Sequence, residues 1–135
     1  MSAPLLLLRH ARAGDSETWP GDDRDRPLDA KGWKQAGGLV GRLESFRIDA
    51  IYTSPYRRCV DTVLPIAAAR GLRPELRPEL AMDDAAGAAF VQALAGRPML
   101  VCGHGGLELV LVDPPRWRKA QVLLVDAGLR VVGEA

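Results

Sequence analysis

Apolar positions along the chain fall into two alternating kinds of run. Pro4 to Leu8 is a short continuous block with the texture of a strand covered on both faces, and Asp49 to Thr53 and Pro98 to Cys102 read as further short strands. Longer stretches between them carry apolar residues three and four apart. Asp29 is placed to cap a helix running to about Ser45, with Trp33, Ala36, Leu39, Val40 and Leu43 on one stripe. Tyr56 to Arg70 reads as a second helix, closed by Gly71 and kinked at Pro65. Glu75 to Leu80 reads as an edge strand, because Pro74 and Pro78 disfavour a central place. Asp83 or Asp84 stands where it would cap a third helix through Leu94, and Leu107 to Val112 predicts a short apolar helix. Gln121 to Val125 and Leu129 to Val132, turning at Asp126-Ala127-Gly128, predict a closing hairpin. Strands alternating with helices predict an α/β fold.

One stretch fits neither pattern. Gly14 to Pro27 carries two Pro, two Gly and five acidic residues before Arg26, which is loop chemistry. The 135 residues show no repeat, low-complexity tract or linker, so a single domain over 1–135 is expected. A net charge of +1 gives no electrostatic case for nucleic acid or an anionic membrane as partner. Fifteen of the 18 basic residues are Arg, the better bidentate binder of phosphate, although abundant Ala, Gly and Pro point to a G- and C-rich genome as the main cause. Cys59 and Cys102 sit among apolar residues at no metal spacing and read as buried, reduced thiols. The Leu5 to Leu8 run is too short to span a membrane and lacks signal-peptide flanks, so a soluble, cytoplasmic protein is expected.

Chemistry collects at strand ends. His10 directly follows one buried strand, His104 follows another by two residues, and Ser54 follows a third, with Arg57 and Arg58 opening the next helix. In parallel α/β sheets, ligands bind outside the carboxyl ends of the strands, and helix N-termini there favour phosphate. Taken alone, a histidine at a strand end is more often structural, and adjacent arginines more often a solvated helix face. Two histidines at matched positions beside Arg and Gly shift the balance toward function. Two His without matching Cys or carboxylates make no zinc site, and Gly103 to Gly106 is no Walker loop.

At these residues the sequence resembles the histidine phosphatase (phosphoglycerate-mutase-like) superfamily. Leu6 to Gly14, LLLRHARAG, is similar to its Arg-His-Gly signature, with Ala11 in the Gly position. Tyr52 to Thr62, YTSPYRRCVDT, resembles its Ser-Pro-x-x-Arg motif followed by a small residue and then Thr, which selects Arg58 over Arg57. VCGHGG at Val101 to Gly106 resembles the second-histidine motif. Asp23-x-x-Arg26-Pro27-Leu28-Asp29-x-x-Gly32 is similar to short phosphohistidine phosphatases and to phosphatase domains appended to Nudix hydrolases. The resemblance implies a three-layer α/β/α sandwich around a mixed, mostly parallel sheet, with the terminal hairpin supplying the antiparallel strand.

It also implies a two-step phosphoryl transfer without metal or other cofactor. His10, neutral, would attack phosphorus, its other ring nitrogen fixed by a backbone carbonyl. Arg9, Arg58 and His104 would hold the phosphate oxygens. Arg26 is a second-rank candidate for the pocket rim, against an equally weighted salt bridge to Asp22, Asp23 or Asp25. The region between the second and third motifs is short, leaving Glu79, Asp83 and Asp84 as the candidates for a general acid. Asp83 and Asp84 are more economically helix caps, and Glu79 is expected to face solvent. A phosphoramidate or a diphosphate needs such an acid less than a sugar phosphate does, because its leaving group is already stable. Gly105-Gly106 replaces a common Asn-Pro pair and the segment Leu109 to Trp117 is abbreviated, implying an open site. The expected substrate is therefore protein phosphohistidine, with a nucleoside diphosphate or other small phosphate compound as runner-up. A non-catalytic phospholigand-binding module is the alternative from another class, disfavoured by the intact nucleophile set.

Overall fold

The computed structural model describes residues 3–81 and 85–135. Its frame is a six-stranded sheet in the order β3-β2-β4-β1-β5-β6, comprising β1 (Leu5–Arg9), β2 (Ala50–Thr53), β3 (Glu75–Leu76), β4 (Met99–Gly103), β5 (Val122–Val125) and β6 (Val131–Glu134). β1 lies between β4 and β5, pairing Leu8 with Cys102 on one side and with Val122 on the other. β1, β2, β3 and β4 run parallel, while β5 opposes both its neighbours. The sheet is thus mixed and mostly parallel, and the terminal hairpin supplies its one antiparallel strand.

Alternation along β1 builds both cores, because successive side chains leave a strand on opposite faces. Leu6 and Leu8 pack with Leu39 of α1 (Ala30–Arg42), with Leu43 at its C-terminal cap, and with Val63 and Ile66 of α2 (Arg57–Arg70). Leu5 and Leu7 face the other layer, with Val91 and Leu94 of α3 (Ala85–Leu94), Leu107, Leu111 and Trp117. Helices therefore cover both faces of the sheet. Asp29 caps α1 as expected, accepting the Gly32 N–H at 2.7 Å. α2 accommodates Pro65 and closes at Gly71.

Four expectations need correction. Trp33 is 42% exposed, and the buried stripe of α1 runs instead through Gly32, Ala36 and Leu39. The cause is local: a Cβ at position 32 would stand 1.8 Å from the Arg12 carbonyl oxygen, so the glycine face turns inward and Trp33 turns out. The Glu75 to Leu80 segment is a strand only at Glu75–Leu76, and Pro78 starts a 3₁₀ turn, Pro78–Leu80. The segment after His104 forms a 3₁₀ turn, Leu107–Val110, and is extended again at Leu111. β4 continues through Gly103, so His104 follows it directly. The cap expected at Asp83 or Asp84 lies outside the described residues. Among the described residues, no helix is long and apolar enough to cross a membrane.

Candidate active site

Three parallel strands end at one edge, and each delivers a polar residue there: His10 after β1, Ser54 after β2 and His104 after β4. The first turn of α2 adds Arg58, and the last residue of β1 is Arg9. The structure thus brings Arg9, His10, Arg58 and His104 together. Arg57, with a side chain 57% exposed, points away and lies 3.7 Å from the Asp61 carboxylate.

His10 is nearly buried, and its Nδ1 lies 2.8 Å from the Ala11 carbonyl oxygen. A carbonyl can only accept, so Nδ1 carries the proton and Nε2 keeps the lone pair. Burial pushes the His10 imidazole down to about 3, against a smaller upward pull from the Ala11 carbonyl, and the charges of Arg58, His104 and Arg9 lower it further. The ring is a neutral base with one fixed tautomer. Its backbone is fixed as well. The His10 N–H bonds the Gly103 carbonyl at 3.1 Å, and the Ala120 N–H reaches the carbonyls of both Arg9 and His10.

The two guanidiniums are held from outside the cage. Arg9 Nη1 donates to the Trp117 carbonyl at 2.7 Å, and Gly105 lies against the plane of the group. A Cβ at position 105 would come within 3.1 Å of Arg9 Nη2, so a side chain there would displace the guanidinium. Arg58 is buried, donates through Nη1 to the Asp23 carbonyl at 3.0 Å, and pairs through Nη2 with the Asp23 carboxylate at 3.2 Å. Its guanidinium carbon stands 4.9 Å from the centre of the Tyr56 ring. Among the described residues, Arg9 Nε and Arg58 Nε are buried donors with no partner. Arg77 Nε is a third such atom among them; its guanidinium stands over the Phe90 ring and its backbone N–H bonds the Thr53 carbonyl. An unpaired buried donor costs roughly 1–3 kcal/mol, so two of them beside one lone-pair nitrogen mark a place suited to an anion.

Arg26 takes the salt-bridge alternative. It pairs with Asp23 at 3.0 Å and donates to the Ala13 carbonyl at 2.7 Å. Its hydrogen bond, with the charge of Arg58, holds the Asp23 carboxyl below its ordinary range. Asp23 thus bridges the two arginines, binding Arg26 with one carboxylate oxygen and Arg58 with the other.

His104 is anchored by groups the sequence reading left without a role. Its Nε2 lies 2.8 Å from Ser54 Oγ, which also accepts the Tyr56 N–H, and 3.6 Å from Cys59 Sγ. Cys59 is therefore not in purely apolar surroundings. Thr62 Oγ1 accepts the Ala11 N–H at 2.9 Å and donates to the Arg58 carbonyl at 2.6 Å, locking the nucleophile loop to α2. The signal for Ser54 and Thr62 was their fixed spacing around Arg58. Nothing in the local sequence marked Asp23 as the partner of Arg58.

Of the candidate general acids, Glu79 pairs with Arg77 at 2.8 Å. Its own backbone N–H and Arg77 lower its pKa, which keeps it ionised and unfit to give a proton. Asp83 and Asp84 lie outside the described residues. Among the described residues, no three His, Cys, Asp or Glu side chains gather as a metal-binding group.

Comparison with known proteins bears on the family and the fold. An 8-oxo-(d)GTP phosphatase of Mycolicibacterium smegmatis is 34% identical over 116 residues, covering 81% of this chain and 36% of that protein. The chain therefore spans about a third of that relative's length. The structure of the protein histidine phosphatase SixA complexed with tungstate has a TM-score of 0.75 at 19% identity, over 97% of this chain and 93% of that one. A SixA protein from Agrobacterium tumefaciens gives 0.76 at 21% identity, over 100% and 98%. At these identities the structural likeness speaks for the fold, the phosphoglycerate-mutase-like α/β sandwich. The family model of the histidine phosphatase superfamily (branch 1) matches residues 5–83, more than half the chain, with both Arg9-His10 and Arg58 inside the match, and the chain belongs to this superfamily of phosphatases.

Proposed function

We propose that the chain is a metal-independent phosphatase that works through a phosphohistidine on His10, with protein phosphohistidine as its substrate. The observation that carries this reading is the neutral, single-tautomer His10 among buried, unpartnered Arg9 and Arg58 donors. The His10 Nε2 lone pair attacks phosphorus, the bond to the leaving group breaks, and the phosphoryl group passes to the ring. Arg9, Arg58 and His104 face the charge on the transferring oxygens, the electrostatic work that dominates phosphoryl transfer. Water then cleaves the phosphorus–nitrogen bond and frees His10.

The choice of substrate follows from the leaving group. Glu79 is ionised by its pairing with Arg77, so among the described residues no candidate acid offers an alkoxide a proton. General acids are typically worth ~10²–10⁴ in rate, a deficit that falls on sugar and serine phosphates. The imidazole of a phosphohistidine, protonated from water, leaves neutral. A second reading, a nucleoside diphosphate or another small phosphate compound, is favoured by the 34% identity to the 8-oxo-(d)GTP phosphatase. Attack on a nucleoside diphosphate likewise expels a stable anion, the nucleoside monophosphate.

Both readings meet one experiment. Wild type and His10→Ala are offered a phosphohistidine peptide, nucleoside diphosphates and an aryl phosphate. Each rapid quench is assayed for acid-labile phosphate on the enzyme. Wild type should accumulate the label and turn over the phosphohistidine peptide with the highest kcat/KM, and His10→Ala should do neither. Near-wild-type turnover by His10→Ala would sink the mechanism. Preference for a diphosphate would move the substrate to the second reading.

A further inference from the structure

Two thiols stand directly behind His104, and the mechanism uses neither. Cys59 follows Arg58 in the first turn of α2, and Cys102 lies on β4 two residues before His104. In register, Cys102 sits opposite Thr53, next to the Ser54 that anchors His104. Both thiols are free and fully buried in the core layer between the sheet and α2. Each thiol shifts the titration of the other, and Cys59 Sγ reaches His104 Nε2 at 3.6 Å.

We propose that Cys59 and Cys102 form a peroxide-sensitive dithiol whose oxidation to a disulfide pulls Cys59 away from His104 and disables the cage. Its effect on turnover rests on the phosphatase reading; the covalent change does not.

The surroundings divide the two roles. Burial alone would raise the Cys59 thiol, but hydrogen bonds with Cys102 and His104 and the charges of His104 and Arg58 bring it down to about 6. Burial and the bond with Cys59 push Cys102 well above the ordinary thiol range. The thiolate is the nucleophile in thiol chemistry, so Cys59 attacks and Cys102 resolves. In the first step Cys59 sulfur attacks one peroxide oxygen, an S–O bond forms and the O–O bond breaks. Sulfur loses two electrons to the peroxide, and the departing hydroxide takes a proton from solvent to become water. In the second step Cys102 sulfur attacks Cys59 sulfur, the S–S bond forms and the S–O bond breaks. Hydroxide again leaves as water, with the Cys102 proton. Hydrogen peroxide is close to water in size, and in this scheme it reaches Cys59 past the half-buried His104, from the side where the phosphate would sit. Inorganic phosphate seated there should block it.

The test treats reduced wild type, Cys59→Ala and Cys102→Ser with hydrogen peroxide, reading intact mass and turnover relative to each protein's own untreated rate. Wild type should lose the mass of two hydrogens. Its turnover should fall on the order of 10²-fold, as when one transition-state donor is lost. Dithiothreitol should reverse both changes, and inorganic phosphate should slow them. Cys102→Ser should stop at a sulfenic acid captured by dimedone, and Cys59→Ala should form neither product. Several outcomes overturn the proposal: wild-type thiols that survive peroxide, turnover lost while both thiols remain free, equal inactivation of Cys59→Ala, or a disulfide that leaves turnover unchanged. A protein that forms the disulfide yet turns over no phosphate compound in any state instead overturns the phosphatase reading, together with the regulatory half of this one.

Discussion

The rings of His10 and His104 stand 5.5 Å apart, centroid to centroid, with their planes at 63°. At that separation a charge on either ring opposes a charge on the other, and His104 is among the groups that keep His10 neutral. The consequence for stability has a definite sign. The unfolded chain takes a proton on His10 near 6.5, whereas the folded chain takes it only near 3. Between these values the unfolded state binds more protons, so stability rises with pH. This contribution is fully present above pH 6.5 and is lost as pH falls from there toward 3. Denaturant titrations of wild type and His10→Ala across that window should show a shallower acid-side loss in the variant. Parallel curves would mean that His10 is not neutral in the fold.

Arg58→Ala should cost far more than Arg57→Ala, although the residues are adjacent. Arg58 is buried with its Nε unpartnered, whereas Arg57 is mostly in solvent. A charge-assisted contact is worth roughly 1.5–3 kcal/mol, so Arg58→Ala should lower kcat/KM by about one to two orders of magnitude. Arg57→Ala should cost little. Inhibition by vanadate should weaken in parallel with the Arg58→Ala loss. Equal losses for the two variants would mean that the cage is built differently.

Turnover should be unchanged in excess EDTA, because Arg and His donors carry the phosphate charge in the proposed mechanism. Loss of rate on chelation, restored by a single added metal, would refute metal independence.

Gly32→Ala should destabilise the protein, against the helix-propensity expectation of a gain of about 1 kcal/mol. The new methyl would meet the Arg12 carbonyl at 1.8 Å, and backbone cannot swing aside as a side chain can. Overpacking of this kind typically costs ~1–3 kcal/mol. That carbonyl also accepts the Asp29 N–H, and Arg12 lies two residues past His10, so kcat should fall together with the denaturation midpoint. A variant as stable as wild type would show that the loop has room to move.

The site was legible where a residue's neighbours in sequence are also its neighbours in space. Arg9 and His10 end a strand whose apolar run is visible in the chain, and Ser54 and Arg58 share one strand-to-helix turn. The mixed, mostly parallel character of the sheet came from resemblance, and its strand order was hidden, since alternating runs do not say which strands adjoin. Contacts between distant segments were hidden. Asp23 reaches Arg58 across 35 positions through a loop whose acidic residues look interchangeable in the sequence. Trp33 leaves the expected stripe because apolar spacing cannot show that a glycine one residue earlier must meet a carbonyl. The 3₁₀ turn Leu107–Val110 has helical spacing, but Leu111 leaves helical geometry and two prolines follow closely.

Placing β1 between β4 and β5 has a consequence for how the molecule assembles. Arg9 and His10, Arg58, and His104 are separated by roughly fifty residues each, and such distant closures delay the transition state of folding. No contiguous segment contains enough of the cage to bind an anion. During refolding, helical signal should therefore return before turnover, and turnover should return only with the last tertiary phase. Recovered activity would then report that every central strand has found its place, and a chain cut between α2 and β4 should have none until its pieces reassociate.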